Sequence, residues 1–157
     1  MPSTRNSLPQ KIRDQVVHDL GPLLADATDL TLQAKQAHWN VRGQTFIALH
    51  ELFDSVYEHA GEWADSIAER IAQLGGAVPG TLQAAHAGTR LTPYPLDLSG
   101  EKAHTERVAA ALAQFGESVR TAIDTFAAAG DAASADLVTE IARGVDKDLW
   151  FVESHLG

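Results

Sequence analysis

The chain has 157 residues, a length that suits one domain with a sizeable core. Its apolar fraction of 45% and charged fraction of 21% are typical of a soluble globular protein. Its formal net charge of -9 argues against a chain-wide affinity for nucleic acid. It contains no cysteine, which excludes disulfides, thiolate metal sites and a cysteine nucleophile.

The N-terminal stretch MPSTRNSLPQK lacks the apolar segment of a secretion signal. No apolar run approaches the roughly 20 residues that would span a bilayer. We therefore expect a cytoplasmic protein without a membrane partner, built as a single domain over 1–157 with a short N-terminal tail at 1–8.

The first predicted helix runs from about Pro9 to Asn40, and the phase of its apolar stripe is the same on both sides of Gly21-Pro22. We therefore predict a kink there rather than a break. The second predicted helix runs from about Thr45 to Leu74 and closes at Gly75-Gly76. Its core-facing stripe comprises Leu49, Leu52, Phe53, Val56, Ala60, Trp63, Ile67, Ile71 and Leu74.

A connection rich in Gly, Pro and Thr follows at 77–100, and its segment TLQAAHA can form a short helix. The third predicted helix runs from about Glu101 to Ala129, and the fourth from about Ser134 to Leu156. We predict an all-α protein, a four-helix bundle with one long crossover between the second and third helices.

Four polar residues of the second helix form two pairs spaced by four positions, His50 with Asp54 and Asp65 with Glu69. Such a pair lies on one helix face and can grip one ion, and imidazole with carboxylates suits Fe, Mn or Zn. At about 100° per residue from Leu49, all four fall between about 100° and 200°, away from the apolar stripe. The alternative is an acidic helix face that meets only water.

The length of the helix decides how these pairs could share metal. Asp54 and Asp65 are roughly 16 Å apart along the axis, too far for one ion within a chain. The residue numbers of His50 and Glu69 add up to the same value as those of Asp54 and Asp65. A two-fold axis between His59 and Ala60 would therefore join the two half-sites of antiparallel partner helices, twice per interface.

Three other residues bear on this arrangement. Gly61 lies on the same face, where a missing side chain would let two helices approach closely. His38 could reach the site if a tight turn at 40–45 folds the first two helices together, although a capping His near a helix end is the alternative. His59 lies next to the inferred axis, off the ligand stripe, and receives no metal role.

The segments KQAHWNVRG, FIALHELFD, DSIAERIAQLGG, YPLD and DKDLWFVES resemble the Dps family, the mini-ferritins of the ferritin-like superfamily, over about Leu30 to Ser154. The resemblance implies a ferritin-like four-helix bundle with a short helix in the long connection. It implies a hollow dodecamer in the bacterial cytoplasm or nucleoid that oxidises Fe(II) with hydrogen peroxide or O2 and stores ferric mineral. It implies a di-iron site, open to Zn or Mn as substitutes, whose ligands are His38, His50 and Asp54 of one subunit with Asp65 and Glu69 of the two-fold mate.

The family pattern also suggests roles for other residues. Asp131, Asp136 and Glu140 match a region that lines a three-fold pore for Fe(II), although acids are favoured at any helix start. Trp39 and Trp63 could quench stray radicals, with plain packing as the alternative. We further expect Lys35 and Arg70 to pair with acids across the two-fold interface, or to remain solvated.

Family members that bind DNA use basic tails, and here only Arg5, Lys11 and Arg13 are available near the N-terminus. We therefore expect weak or absent DNA binding at physiological salt. The competing interpretations are a DNA-compacting protein with a vestigial metal site, an inert cage, and an enzyme with an in-bundle di-metal site. The last would need two Glu-x-x-His motifs, and only Glu101 with His104 fits. We interpret that pair as an acid favoured at a helix start and a surface His.

Overall fold

The structure is a computed structural model and describes residues 4–157. All of the regular structure in that range is helical. The helices are α1 (Gln10–Asn40), α2 (Phe46–Gln73), α3 (Leu82–Gly88), α4 (Glu101–Ala129) and α5 (Ala132–Glu153). The predicted four-helix bundle with a short helix in the crossover is confirmed, and each helix boundary lies within a few residues of its prediction.

The first helix continues through Pro22 without a break, as the unbroken phase of its apolar stripe predicted. Helix α1 packs against α2, α4 and the short α3, while α4 packs against α5 and α5 against α2. The core between these helices is filled by aliphatic side chains and three large rings, Phe53, Phe115 and Phe126, all fully buried. None of the helices in the described range is long and apolar enough to cross a membrane.

The turn between α1 and α2 is short, because only residues 41–45 separate the two helices. The carboxylate of Glu101, on the first turn of α4, accepts a hydrogen bond from the backbone N–H of Thr45 at 3.0 Å. A Cβ at Gly43 would collide with that carboxylate, so a larger residue there would displace the Glu101 side chain from the turn. Helix α4 thereby fixes the turn that sets α1 beside α2.

The long crossover is tied to the bundle by polar contacts. The carboxylate of Asp26 on α1 is fully buried and accepts hydrogen bonds from the backbone N–H and the guanidinium of Arg90. Further along, Gln33 donates to the carbonyl of Thr92 at 3.2 Å. These contacts satisfy buried groups and hold α3 and the segment after it against α1.

Candidate metal centre

The two histidines of the predicted site lie face to face between α1 and α2. The rings of His38 and His50 are stacked, with centroids 3.6 Å apart and planes 21° from parallel. Nδ1 of His38 lies 2.8 Å from the carbonyl oxygen of His50, and Nδ1 of His50 lies 2.9 Å from the carbonyl oxygen of His38. Each histidine is therefore held by the backbone of the other helix.

This reciprocal pairing decides which nitrogen of each ring is free. A carbonyl oxygen only accepts, so Nδ1 must carry the hydrogen in both rings. The lone pair of a neutral imidazole is then on Nε2, the arrangement that orients histidine for a metal. The expectation that the tight turn carries His38 to the His50 side of α2 is met, and Phe46 flanks His50 with ring centroids 5.0 Å apart.

The third predicted ligand, Asp54, lies beside this pair. Its Oδ1 is 3.9 Å from Nδ1 of His38, and it accepts a hydrogen bond from the ammonium of Lys35. The hydrogen bond from Lys35 lowers the pKa of Asp54 despite some desolvation, and the nearby positive charges act in the same direction. The carboxylate is thus kept ionised and ready to bind a cation. Lys35 thus pairs with an acid of its own chain, and its expected pairing across an interface stays a prediction.

The other two predicted ligands are not part of this cluster. Asp65 and Glu69 lie on later turns of α2, and both are exposed. Among the residues that the structure describes, no group of three or more His, Asp or Glu could hold a metal ion within one chain. One chain therefore presents a half-site of two imidazoles and a carboxylate, and separately an exposed pair of carboxylates.

Arg70 follows Glu69 and turns towards α5. It donates to both carboxylate oxygens of Asp131, at 2.9 and 3.0 Å, and to the hydroxyl of Ser134 at 2.8 Å. Asp131 is 2% exposed and caps α5 by accepting from the backbone N–H of Ser134. Arg70 therefore pairs with an acid of its own chain, and its expected pairing across an interface stays a prediction.

The capping role of Asp131 removes it from the set of residues predicted to line a pore. Its carboxylate is buried and fully engaged, so it is not available to line an aqueous channel in this chain. Asp136 and Glu140 are exposed and border a groove with Glu69 and Arg70, between α2 and the start of α5. The pore assignment remains a prediction for these two residues.

The two tryptophans considered as radical quenchers, of the three in the chain, differ in their surroundings. Trp39 is 61% exposed at the end of α1. Trp63 packs against Phe115 with ring centroids 6.0 Å apart, and its indole comes so close to Gly144 that a Cβ there would lie 2.9 Å away. Packing accounts for Trp63 without a redox role.

His59 and His104 each make a polar contact that the sequence did not reveal, because the partner lies on a different structural element. His59 contacts Asp148 of α5, with Nδ1 2.9 Å from Oδ2, and Asp148 is 2% exposed. Burial raises the pKa of Asp148, while the contact with His59 opposes that rise.

His104, expected on the surface, is 2% exposed and bonds Tyr94 instead. The Glu101–His104 motif is thus divided between two structural contacts, which rules out its use as an in-bundle metal motif in this conformation.

The sequence of the chain matches the family described as "Ferritin-like domain" over residues 18–157. Together with the helical architecture, this defines a ferritin-like four-helix protein. The chain is 40% identical over 153 residues to the "DNA protection during starvation protein" of Agrobacterium fabrum, covering 98% of this chain and 94% of that protein.

Solved structures agree with this relationship. The Dps structure from Mycobacterium smegmatis in a tetragonal form superposes with a TM-score of 0.93 at 32% identity, covering 99% of this chain and 94% of that one. A Dps structure from Microbacterium arborescens, described as the high iron form, gives a TM-score of 0.89 at 35% identity, covering 98% and 99%. The chain belongs to the Dps family.

Proposed function

We propose that this protein is a ferroxidase and iron-storage mini-ferritin that oxidises Fe(II) with hydrogen peroxide or O2 at sites between two subunits. The observation that carries the proposal is the His38–His50 pair, whose Nδ1 hydrogen bonds leave both Nε2 atoms free. The carboxylate of Asp54 lies close by, 3.9 Å from Nδ1 of His38. Neutral imidazole with carboxylate is a donor set that suits iron.

The missing ligands would come from a second copy. A chain with a half-site at one end of α2 and two exposed carboxylates at the other end meets the requirement of a two-fold interface, which pairs unlike ends of identical helices. Asp65 and Glu69 of the mate would then complete the site formed by His38, His50 and Asp54. The Microbacterium protein, similar over nearly its full length, is described in a high iron form, which supports iron as the substrate here.

The chemistry follows from the charge of the donors. Three carboxylates around two iron ions would stabilise Fe(III) relative to Fe(II) and so favour electron loss to the oxidant. Oxidising two Fe(II) together reduces one peroxide to water by two electrons, which avoids the hydroxyl radical. Lys35 bonds only Oδ1 of Asp54, so Oδ2 would be available to iron.

The proposed assembly is a dodecameric cage with two-fold ferroxidase interfaces, in which Asp136 and Glu140 line the entry pore. Zn or Mn could occupy the same donors. Trp39, exposed at the end of α1, is better placed than Trp63 to intercept stray radicals.

DNA binding should be weak, because Arg13, one of the three N-terminal cations, donates to the carbonyls of Leu8 and Leu74. Retardation of plasmid DNA in a gel at physiological salt would contradict that expectation.

The function is tested by the double variant His50→Ala with Asp54→Ala. We expect this variant to lose peroxide-dependent Fe(II) oxidation, which is measured by the absorbance of the ferric iron formed. Light scattering should show that its assembly is unchanged. The matched control is His18→Ala with Asp19→Ala, which removes an exposed His–Asp contact of 3.0 Å elsewhere on α1. An unchanged oxidation rate in the first variant would refute the site, and anomalous scattering at the iron edge from soaked crystals would locate the metal.

A further inference from the structure

Tyr94 and His104 form a buried pair that the proposed metal chemistry does not use. The phenolic oxygen of Tyr94, in the crossover after α3, lies 2.6 Å from Nδ1 of His104 on the first turn of α4. A neutral imidazole nitrogen is a better acceptor than a phenolic oxygen, so the phenol donates and the imidazole accepts. The contact is at the short end of the range for hydrogen bonds from a hydroxyl.

The far side of His104 makes this pair unusual. Its Nε2 is buried and has no hydrogen-bond partner among the described residues. A buried polar atom without a partner requires an explanation in a folded protein, and a redox or catalytic role is one of the few available. Burial, and to a smaller extent the charge of Arg42, lowers the pKa of His104, so its imidazole is neutral and its Nδ1 is a free base before any reaction. Burial also raises the pKa of Tyr94 to about 12, so the phenol keeps its proton.

The second tyrosine of the chain provides an internal comparison. The chain has two tyrosines, and Tyr57 lies under the ammonium of Lys35, 4.3 Å from the ring centroid. A cation over the face of a ring stabilises its electrons and makes them harder to remove. Arg107 also lies near the Tyr94 ring, but further away, at 6.0 Å from the centroid. Tyr94 is therefore the tyrosine with a hydrogen-bonded base and the weaker opposing charge.

We propose that Tyr94, with His104 as its proton acceptor, is a redox-active tyrosine that takes up oxidising equivalents escaping from the iron chemistry. Tyr94 and the metal half-site both adjoin α1. Tyr94 lines a cavity of about 490 Å³ together with Leu32 of α1. Leu32 and His38 are six residues apart on that helix, about 9 Å along its axis. The proposal rests on the proposed function, because that function supplies the natural oxidant. The oxidant is a hydroxyl radical, formed when a single Fe(II) reduces peroxide by one electron.

The step balances as a one-electron oxidation with transfer of one proton. Tyr94 gives one electron to the hydroxyl radical, which becomes hydroxide, and the phenolic O–H bond breaks as its proton forms a bond to Nδ1 of His104. The products are a neutral tyrosyl radical and an imidazolium, and the hydroxide takes a proton from solvent to become water. Oxidation makes a phenol far more acidic, so the proton moves even to a buried imidazole. A further electron from Fe(II) would restore Tyr94.

The test compares Tyr94→Phe with the matched variant Tyr57→Phe in the assembled protein. Samples containing Fe(II) are frozen at intervals after mixing with hydrogen peroxide and examined by electron paramagnetic resonance. We expect a tyrosyl signal in the wild type and in Tyr57→Phe, and loss of that signal in Tyr94→Phe with the rate of ferric iron formation unchanged. His104→Gln, which keeps a hydrogen-bonding side chain but lacks a comparable base, should also lose most of the signal.

A second arm separates this proposal from the ferroxidase function. Azide radicals generated by pulse radiolysis oxidise exposed indole rings without iron, and the tyrosyl absorption that follows reports transfer of the oxidising equivalent within the protein. That absorption should appear in the wild type and be lost in Tyr94→Phe even if the protein oxidises no iron. A tyrosyl signal that survives in Tyr94→Phe, that disappears in Tyr57→Phe, or that is absent from the wild type in both arms would overturn the proposal.

Discussion

His38 and His50 each donate Nδ1–H to the backbone carbonyl of the other, at 2.8 and 2.9 Å, with their rings stacked 3.6 Å apart. Two helices are thereby joined at the point where the proposed metal binds. Because the contacts use backbone carbonyls, they fix the tautomer of both rings whatever side chains surround them. The pair is preorganised before a metal or a second chain arrives.

The first prediction concerns the origin of the ligands in two chains. His50→Ala with Asp54→Ala removes one half-site, and Asp65→Asn with Glu69→Gln removes the other, so each variant alone should be inactive. When the two are assembled together at random, half of the dimers are hybrids and each hybrid keeps one intact site, so Fe(II) oxidation should recover to about a quarter of the wild-type rate. Refolding each variant separately is the control. If hybrid dimers form and remain inactive, the ligands do not come from two chains.

The second prediction concerns the position of the two-fold axis. Gly61 lies within α2, and a Cβ there would meet nothing within 4 Å in its own chain. Gly61→Gln should therefore stabilise the isolated helix by up to about 1 kcal/mol but hold the two copies apart. We expect smaller species in light scattering and loss of Fe(II) oxidation. Ala110→Gln on the exposed side of α4 is the control. Normal assembly of Gly61→Gln would place the axis elsewhere.

The third prediction concerns the start of α5. Asp131→Ala removes a helix cap and breaks a buried ion pair with Arg70, so the free energy of unfolding should fall by about 3 kcal/mol. Asp136→Ala, at an exposed position of the same helix, should change it by less than about 0.5 kcal/mol. Both are measured by denaturant unfolding at neutral pH. Equal effects of the two variants would refute the buried role of Asp131.

The pH dependence of this contact has a definite sign. Burial raises the pKa of Asp131, but the hydrogen bonds from Ser134 and Arg70 outweigh it and lower the pKa below its ordinary value. The stabilisation is therefore fully present above about pH 4 and is lost as the pH falls through the lowered native pKa. The difference in thermal stability between the wild type and Asp131→Asn should shrink in that acidic window. A difference that grows as the pH falls would contradict the assignment.

The fourth prediction concerns His59 and Asp148. His59→Leu leaves a buried carboxylate without its partner and should cost about 1–3 kcal/mol of the free energy of unfolding. The double variant His59→Leu with Asp148→Leu removes both polar groups and should recover most of that loss. The double-mutant cycle is measured by denaturant unfolding. Additive losses would mean that the two residues do not stabilise each other.

The sequence determined the number of helices, their ends and the faces of α2. Apolar spacing of three and four residues fixes the core-facing stripe, and the same arithmetic places His50, Asp54, Asp65 and Glu69 on the opposite side. The length of α2 alone showed that these four residues could not share one ion within a chain. These features are local, since a regular helix converts separation in sequence into angle and distance.

Only the tertiary structure decided which partner each polar side chain meets. Lys35 contacts Asp54, Arg70 contacts Asp131 and His104 contacts Tyr94. In each contact the partner belongs to a different helix or to the crossover. Helical periodicity gives the direction of a side chain but not the neighbour that lies in that direction. That neighbour depends on how the helices pack and where the crossover lies, and these are set by the whole core at once.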